Sequence, residues 1–144
     1  MNRFTRWLSL TASDWRLLIA ASLVQVLTAF GLRTMSLPTL RRGAARLRLL
    51  AHFILRGPEA RVIWAIEASG RRLAGVSTCL VRAIVADLAL GSPERPLRLT
   101  VGVRYEPGGR LQSHAWLADR DRIVIGGSTA DQYAPLTVWD SLFA

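Results

Sequence analysis

Leu97-Arg98-Leu99-Thr100-Val101-Gly102-Val103-Arg104-Tyr105 alternates without a break: its odd-numbered residues are apolar and its even-numbered ones are polar or small. A period of two is an extended strand with one face buried. Pro107-Gly108-Gly109 follows as a hairpin turn. Residues 111–118 then read as the next strand, with Gln112, His114 and Trp116 sharing one face. Asp119-Arg120-Asp121-Arg122 turns the chain again, into a third strand at Ile123-Val124-Ile125 that Gly126-Gly127 ends.

Upstream of this meander the period changes to helical. Ser77 or Thr78 can cap a helix that runs to about Leu90 and stops at Gly91-Ser92-Pro93. Cys79, Ala83, Ala86 and Leu90 share one of its faces. A shorter helix spans about 59–68, after the Gly57-Pro58 break. Before that, Pro38 opens a helix of about 39–56. Its apolar stripe is Leu40, Ala44, Leu47, Leu50, Ala51 and Ile54, opposite a face of arginines. Leu49 and Phe53 fall among those arginines, as a docking surface or as ordinary surface scatter. The first helix starts at a capping box, Thr11-Ala12-Ser13-Asp14, and extends to about Phe30, where Gly31 can end it. It is apolar all round and so needs enclosure by protein or lipid. The expected fold is α+β, with N-terminal helices followed by a small antiparallel sheet. Residues 1–74 form a basic helical region and residues 75–144 the remainder, together one compact domain.

Composition narrows the function. A chain of 144 residues fits one domain with a modest core. Its net charge of +9 is unevenly placed. Twelve arginines face three acids in residues 1–72, whereas arginines and acids balance in residues 73–144. No nucleic-acid motif and no interleaving of aromatics with the arginines accompany that charge, so no nucleic-acid partner is expected. From Leu17 through Leu32 sixteen residues carry no charge. That run is shorter than the ~20 residues of a membrane span. Asp14 also interrupts its basic flank, and no small-residue cleavage site follows. A buried helix is therefore expected rather than a membrane helix or signal peptide. The single cysteine excludes an internal disulfide and fits a reducing, cytoplasmic compartment.

The same cysteine carries the chemistry. First-turn N–H groups of its helix would favour an anion at Cys79 and could hold an oxyanion on a substrate carbonyl. His114 stands on a strand downstream and could accept the thiol proton. The bland alternatives are a buried inert thiol and a structural histidine. Asp131 could fold back towards His114 as a third member, or be a solvated loop acid. Asp119 and Asp121 are turn residues more than ~10 Å along the strand. No second histidine or carboxylate stands at metal-ligand spacing, so neither metal nor cofactor is expected. No serine occupies a Gly-x-Ser-x-Gly turn.

Four motifs together resemble one family. Ser77-Thr78-Cys79-Leu80-Val81-Arg82-Ala83, Leu99-Thr100-Val101-Gly102-Val103, Ser113-His114-Ala115-Trp116-Leu117, and Val124-Ile125-Gly126-Gly127 with the following Tyr133 are similar to the lasso-peptide leader peptidases. These are microcin-processing, transglutaminase-like cysteine proteases. The likeness covers about residues 75–133, and the N-terminal helices resemble the stand-alone form in length and basic character. The resemblance implies a papain/transglutaminase-like fold and a bacterial cytosolic protease that removes the leader from a ribosomally made precursor. A separate recognition protein would bind the leader and dock on the basic helical half. An ATP-dependent macrolactam cyclase would take the core. Cys79 is then the nucleophile and His114 the general base. The family's acid stands near the end of the strand after the histidine strand, where this chain has Gly126-Gly127. Asp131, a backbone group or water is left to orient His114. A non-catalytic membrane-associated adaptor anchored by the Leu17 to Leu32 helix is the rival reading.

Overall fold

The computed structural model describes residues 9–140, apart from the side chains of residues 37, 41 and 45. Among these residues four helices come first: α1 (Ala12–Thr34), α2 (Leu37–Ile54), α3 (Glu59–Gly70) and α4 (Cys79–Leu90). Four strands follow: β1 (Arg98–Tyr105), β2 (Leu111–Asp119), β3 (Arg122–Ile125) and β4 (Ala134–Asp140). A 3-10 turn, Gly127–Gln132, separates β3 from β4. The sheet is antiparallel with strand order β3-β2-β1-β4. Helices followed by a small antiparallel sheet is the α+β order read from the sequence.

The capping box forms as expected. Asp14 N–H donates to Thr11 Oγ1 at 3.2 Å and Thr11 N–H donates to Asp14 Oδ2 at 3.0 Å. Arg61 of α3 also reaches Asp14, and its guanidinium holds the Asp14 carboxyl below the usual range. Helix α1 passes through Gly31 and ends at Thr34, four residues beyond the expected end. One glycine costs a helix only about 1 kcal/mol, and tertiary packing of the buried Gly31 overrides it.

Packing corrects the outer helices further. Helix α1 is enclosed on one side only: Leu17, Ala21, Val24 and Thr28 are buried, whereas Ile19, Leu23, Leu27 and Phe30 are exposed. Among the described side chains of α2, Ala44 and Ala51 are buried, with Leu55 at its end. Leu47 and Leu50, expected in the stripe, face solvent beside Leu49 and Phe53. The small alanines allow α2 to lie close to its neighbours along a seam narrower than the apolar pattern suggests.

One hydrophobic core draws on both halves of the chain. Leu17 of α1 and Val62 and Ile66 of α3 meet Ile84 and Val85 of α4, with Leu99 and Leu117 of the sheet. Helix α4 packs on β2 and contacts α1, α2 and α3, so it is the central element. Beyond the core, Glu59 and Asp119 share Arg95, at 2.8 and 2.7 Å, and Arg122 donates to Glu59 at 2.7 Å. These ion pairs tie the start of α3 to the β2–β3 turn. The guanidiniums hold both carboxyls below their ordinary range.

Two features of the sheet bear on the site. In β1–β2 the register places His114 opposite Gly102. In β2–β3 Leu117 faces Ile125 but Ala118 faces Ile123, so Val124 is an extra residue. The bulge ends regular pairing there and hands the chain to Gly126. Strand β4, which the sequence reading did not anticipate, lies on the far edge beside β1, with an irregularity where Pro135 faces Gly102. An edge strand is where a proline can be accommodated.

Candidate active site

A buried amide fixes the segment that leads into α4. Gln25 of α1 is fully buried. Its Nε2 donates to Ile66 O at 3.1 Å and Ser69 Oγ at 2.6 Å, and its Oε1 accepts from Ser77 Oγ. Two residues later comes Cys79, the first residue of α4. Thr78 is the N-cap: its Oγ1 accepts from Val81 N–H at 3.3 Å, and its carbonyl accepts from Arg82 N–H at 3.0 Å. The N–H groups of Cys79 and Leu80 have no acceptor among the described residues. Two unengaged donors at the start of a helix, one of them on Cys79 itself, are what an oxyanion needs.

His114 approaches from β2. Cys79 and His114 line one cleft of about 220 Å³, together with Glu67, Arg82, Ile125 and Gly126. The imidazole is held in place. Its Nε2 lies 2.8 Å from Gly126 O. A carbonyl only accepts, so Nε2 carries the proton, and in the neutral ring Nδ1 keeps the lone pair. Trp116 and Tyr133 flank the ring, at 6.1 and 5.1 Å between centroids. Tyr133 is itself fixed: its hydroxyl donates to Gln112 Oε1 at 2.9 Å, and Arg104 stacks on its ring at 4.8 Å.

Glycines make this arrangement fit. Gly126 has φ +82°, and a Cβ there would come within 2.7 Å of Ala115 O. Only glycine brings the carbonyl to His114 by this path. At Gly102 a Cβ would meet Trp116 at 2.8 Å and Tyr133 at 2.9 Å, so the missing side chain makes room for both rings.

The structure thus brings Cys79 and His114 to one cleft. Asp131 is exposed on the 3-10 turn and is not among the lining residues, and the Nε2 bond goes to Gly126 O. No hydrogen bond to the Cys79 thiol occurs among the described residues. A nucleophile and base often tighten only around substrate. Sequence reading assigned no role to Glu67, Arg82 or the Tyr133 ring, since these meet the site only through tertiary packing. Among the described residues no group of three or more histidine, cysteine or acidic side chains converges as a metal site.

A family model described as the transglutaminase-like superfamily matches residues 15–138. No curated protein and no solved structure matches the chain.

Proposed function

The chain belongs to the transglutaminase-like superfamily, and on that premise we propose that it is a cytoplasmic cysteine peptidase that removes the leader from a ribosomally made lasso-peptide precursor. The observation that carries the chemistry is the shared cleft of Cys79 and His114, with Nε2 of His114 bound to Gly126 O. The leader peptidase reading within the superfamily rests on the motifs around Cys79, His114 and Gly126.

In this mechanism Nδ1 of His114 takes the Cys79 proton. The thiolate attacks the scissile carbonyl carbon, and the N–H groups of Cys79 and Leu80 hold the resulting oxyanion. As the tetrahedral species collapses, the imidazolium returns the proton to the departing amine, and a thioester joins the leader to Cys79. Water then attacks the thioester with Nδ1 as base, freeing the leader acid and the thiol. Gly126 O orients the ring throughout, the role an acid has in triad sites. A leader-recognition protein delivers the precursor and an ATP-dependent macrolactam cyclase consumes the core.

The test is cleavage of a precursor encoded beside the gene, with its recognition protein present, followed by mass spectrometry. Cys79→Ala should abolish cleavage with its melting temperature nearly unchanged, and iodoacetamide should inactivate the wild type. Cleavage by the alanine variant would end the cysteine peptidase reading. A thioester passed only to amines, never to water, would retain the thiol chemistry but make the chain an acyltransferase.

A further inference from the structure

Helix α1 is the one described helix long and apolar enough to cross a membrane. It does not leave the fold: Leu17, Ala21, Val24 and Gln25 are sealed into the core. The opposite side is a continuous apolar stripe of Ile19, Leu23, Val26, Leu27 and Phe30, spaced three and four residues apart. Leu27 and Phe30 are 63% and 64% exposed. Helix α2 adds Leu49 and Phe53, 76% and 73% exposed and one turn apart. Phe53 joins Ile19 and Leu23 in a groove of about 730 Å³, which Arg16 and Arg56 also line. Arg33, Arg42 and Arg46 are exposed on the same two helices.

The electrostatics of this face are one-sided. From residue 9 to residue 58 the chain has one acid, Asp14, and it is buried against Arg61. The exposed side chains of α1 and α2 therefore include apolar groups and guanidinium donors but no carboxylate. A second copy of the chain would bring arginine against arginine. A bilayer of anionic lipids supplies both complements, acyl surface for the stripe and phosphate oxygens for the guanidiniums, with no need for directional pairing. Arginine stems can lie along apolar surface while their heads stay at the phosphates.

We propose that the exposed face of α1 and α2 seats the protein on an anionic membrane surface, as a peripheral contact and not a span. Half of α1 holds the core while the other half enters the interface.

Flotation of the full chain with vesicles tests this. The protein should float with phosphatidylcholine vesicles containing phosphatidylglycerol, stay behind with phosphatidylcholine alone, and be released by high salt. Phe53→Ser should weaken partition about tenfold, as expected for removing one buried aromatic group. Arg46→Glu combined with Arg56→Glu should do at least as much, and it touches no core residue. Both variants should keep the wild-type melting temperature. No flotation on either vesicle would overturn the proposal, as would equal flotation of wild type and the arginine variant. Dimers that Phe53→Ser dissolves, without flotation, would assign the face to a second copy. Saturable binding to polyglutamate without flotation would assign it to an acidic protein.

Discussion

The orientation of His114 separates two residues that compete for one role. Gly126 O already occupies Nε2 at 2.8 Å, and Asp131 lies exposed outside the cleft. Asp131→Asn should therefore leave turnover within about twofold of wild type, since surface changes away from a site have small effects. Gly126→Ala strains a φ of +82° and drives a methyl into Ala115 O. Turnover should fall roughly 10²-fold or more, the scale of a lost general-base contribution. The two variants are compared by initial rates of precursor cleavage. If Asp131→Asn is the one that loses activity, the acid reaches His114 in the working complex and the carbonyl does not suffice. Asp119 belongs to neither reading, because Arg95 holds it at the far end of β2.

At the scale of elements, Gln25 couples α1, α3 and the segment before Cys79. Gln25→Leu would leave Ser77 Oγ without its acceptor and forfeit the bonds to Ile66 O and Ser69. The loss should be about 1–3 kcal/mol by urea unfolding, the cost of buried polar groups left unsatisfied. Turnover should fall too. Ile66→Val, a core change costing about 1 kcal/mol, should lose stability with turnover intact. The elements themselves were largely legible, because period and punctuation state them: Thr11 as a cap, Ser77 or Thr78 as another, Pro107-Gly108-Gly109 as a turn, and the alternation from Leu97. Strand β4 was not legible. Pro135 interrupts it, and Leu136 and Val138 face solvent, so no buried face marks it in the sequence. The stripe of α2 misled for the opposite reason, since Leu47 and Leu50 repeat at core spacing yet stay exposed. In the site, Cys79 and His114 stand out as a lone thiol and one of two histidines. Gly126 O has no letter of its own, and a carbonyl's direction appears only when φ does.

For the whole molecule, acid is the natural probe of stability. Asp14, Glu59 and Asp119 all have depressed carboxyl pKa values, through Arg61, Arg122 and Arg95 in turn. A depressed carboxyl contributes stability above its unfolded value, and that contribution is lost as pH falls through its folded value. The melting temperature should therefore hold from neutrality to about pH 5 and decline below about pH 4, where these groups take up protons. Glu59→Gln should lower the neutral plateau and flatten the decline. An acid decline as steep in Glu59→Gln as in wild type would show that the Glu59 pairs contribute nothing measurable. The hydrogen bond at His114 has a different consequence. A main-chain acceptor has no codon, so an exchange of a side chain reaches it only by moving the loop, and none can give it a charge. Its strength is inherited from the path of the loop, which the β2–β3 bulge and Gly126 set together. Variation that tunes proton transfer in this chain must therefore arise in the residues that shape that path, and adaptation of its rate is constrained to run through architecture before it runs through chemistry.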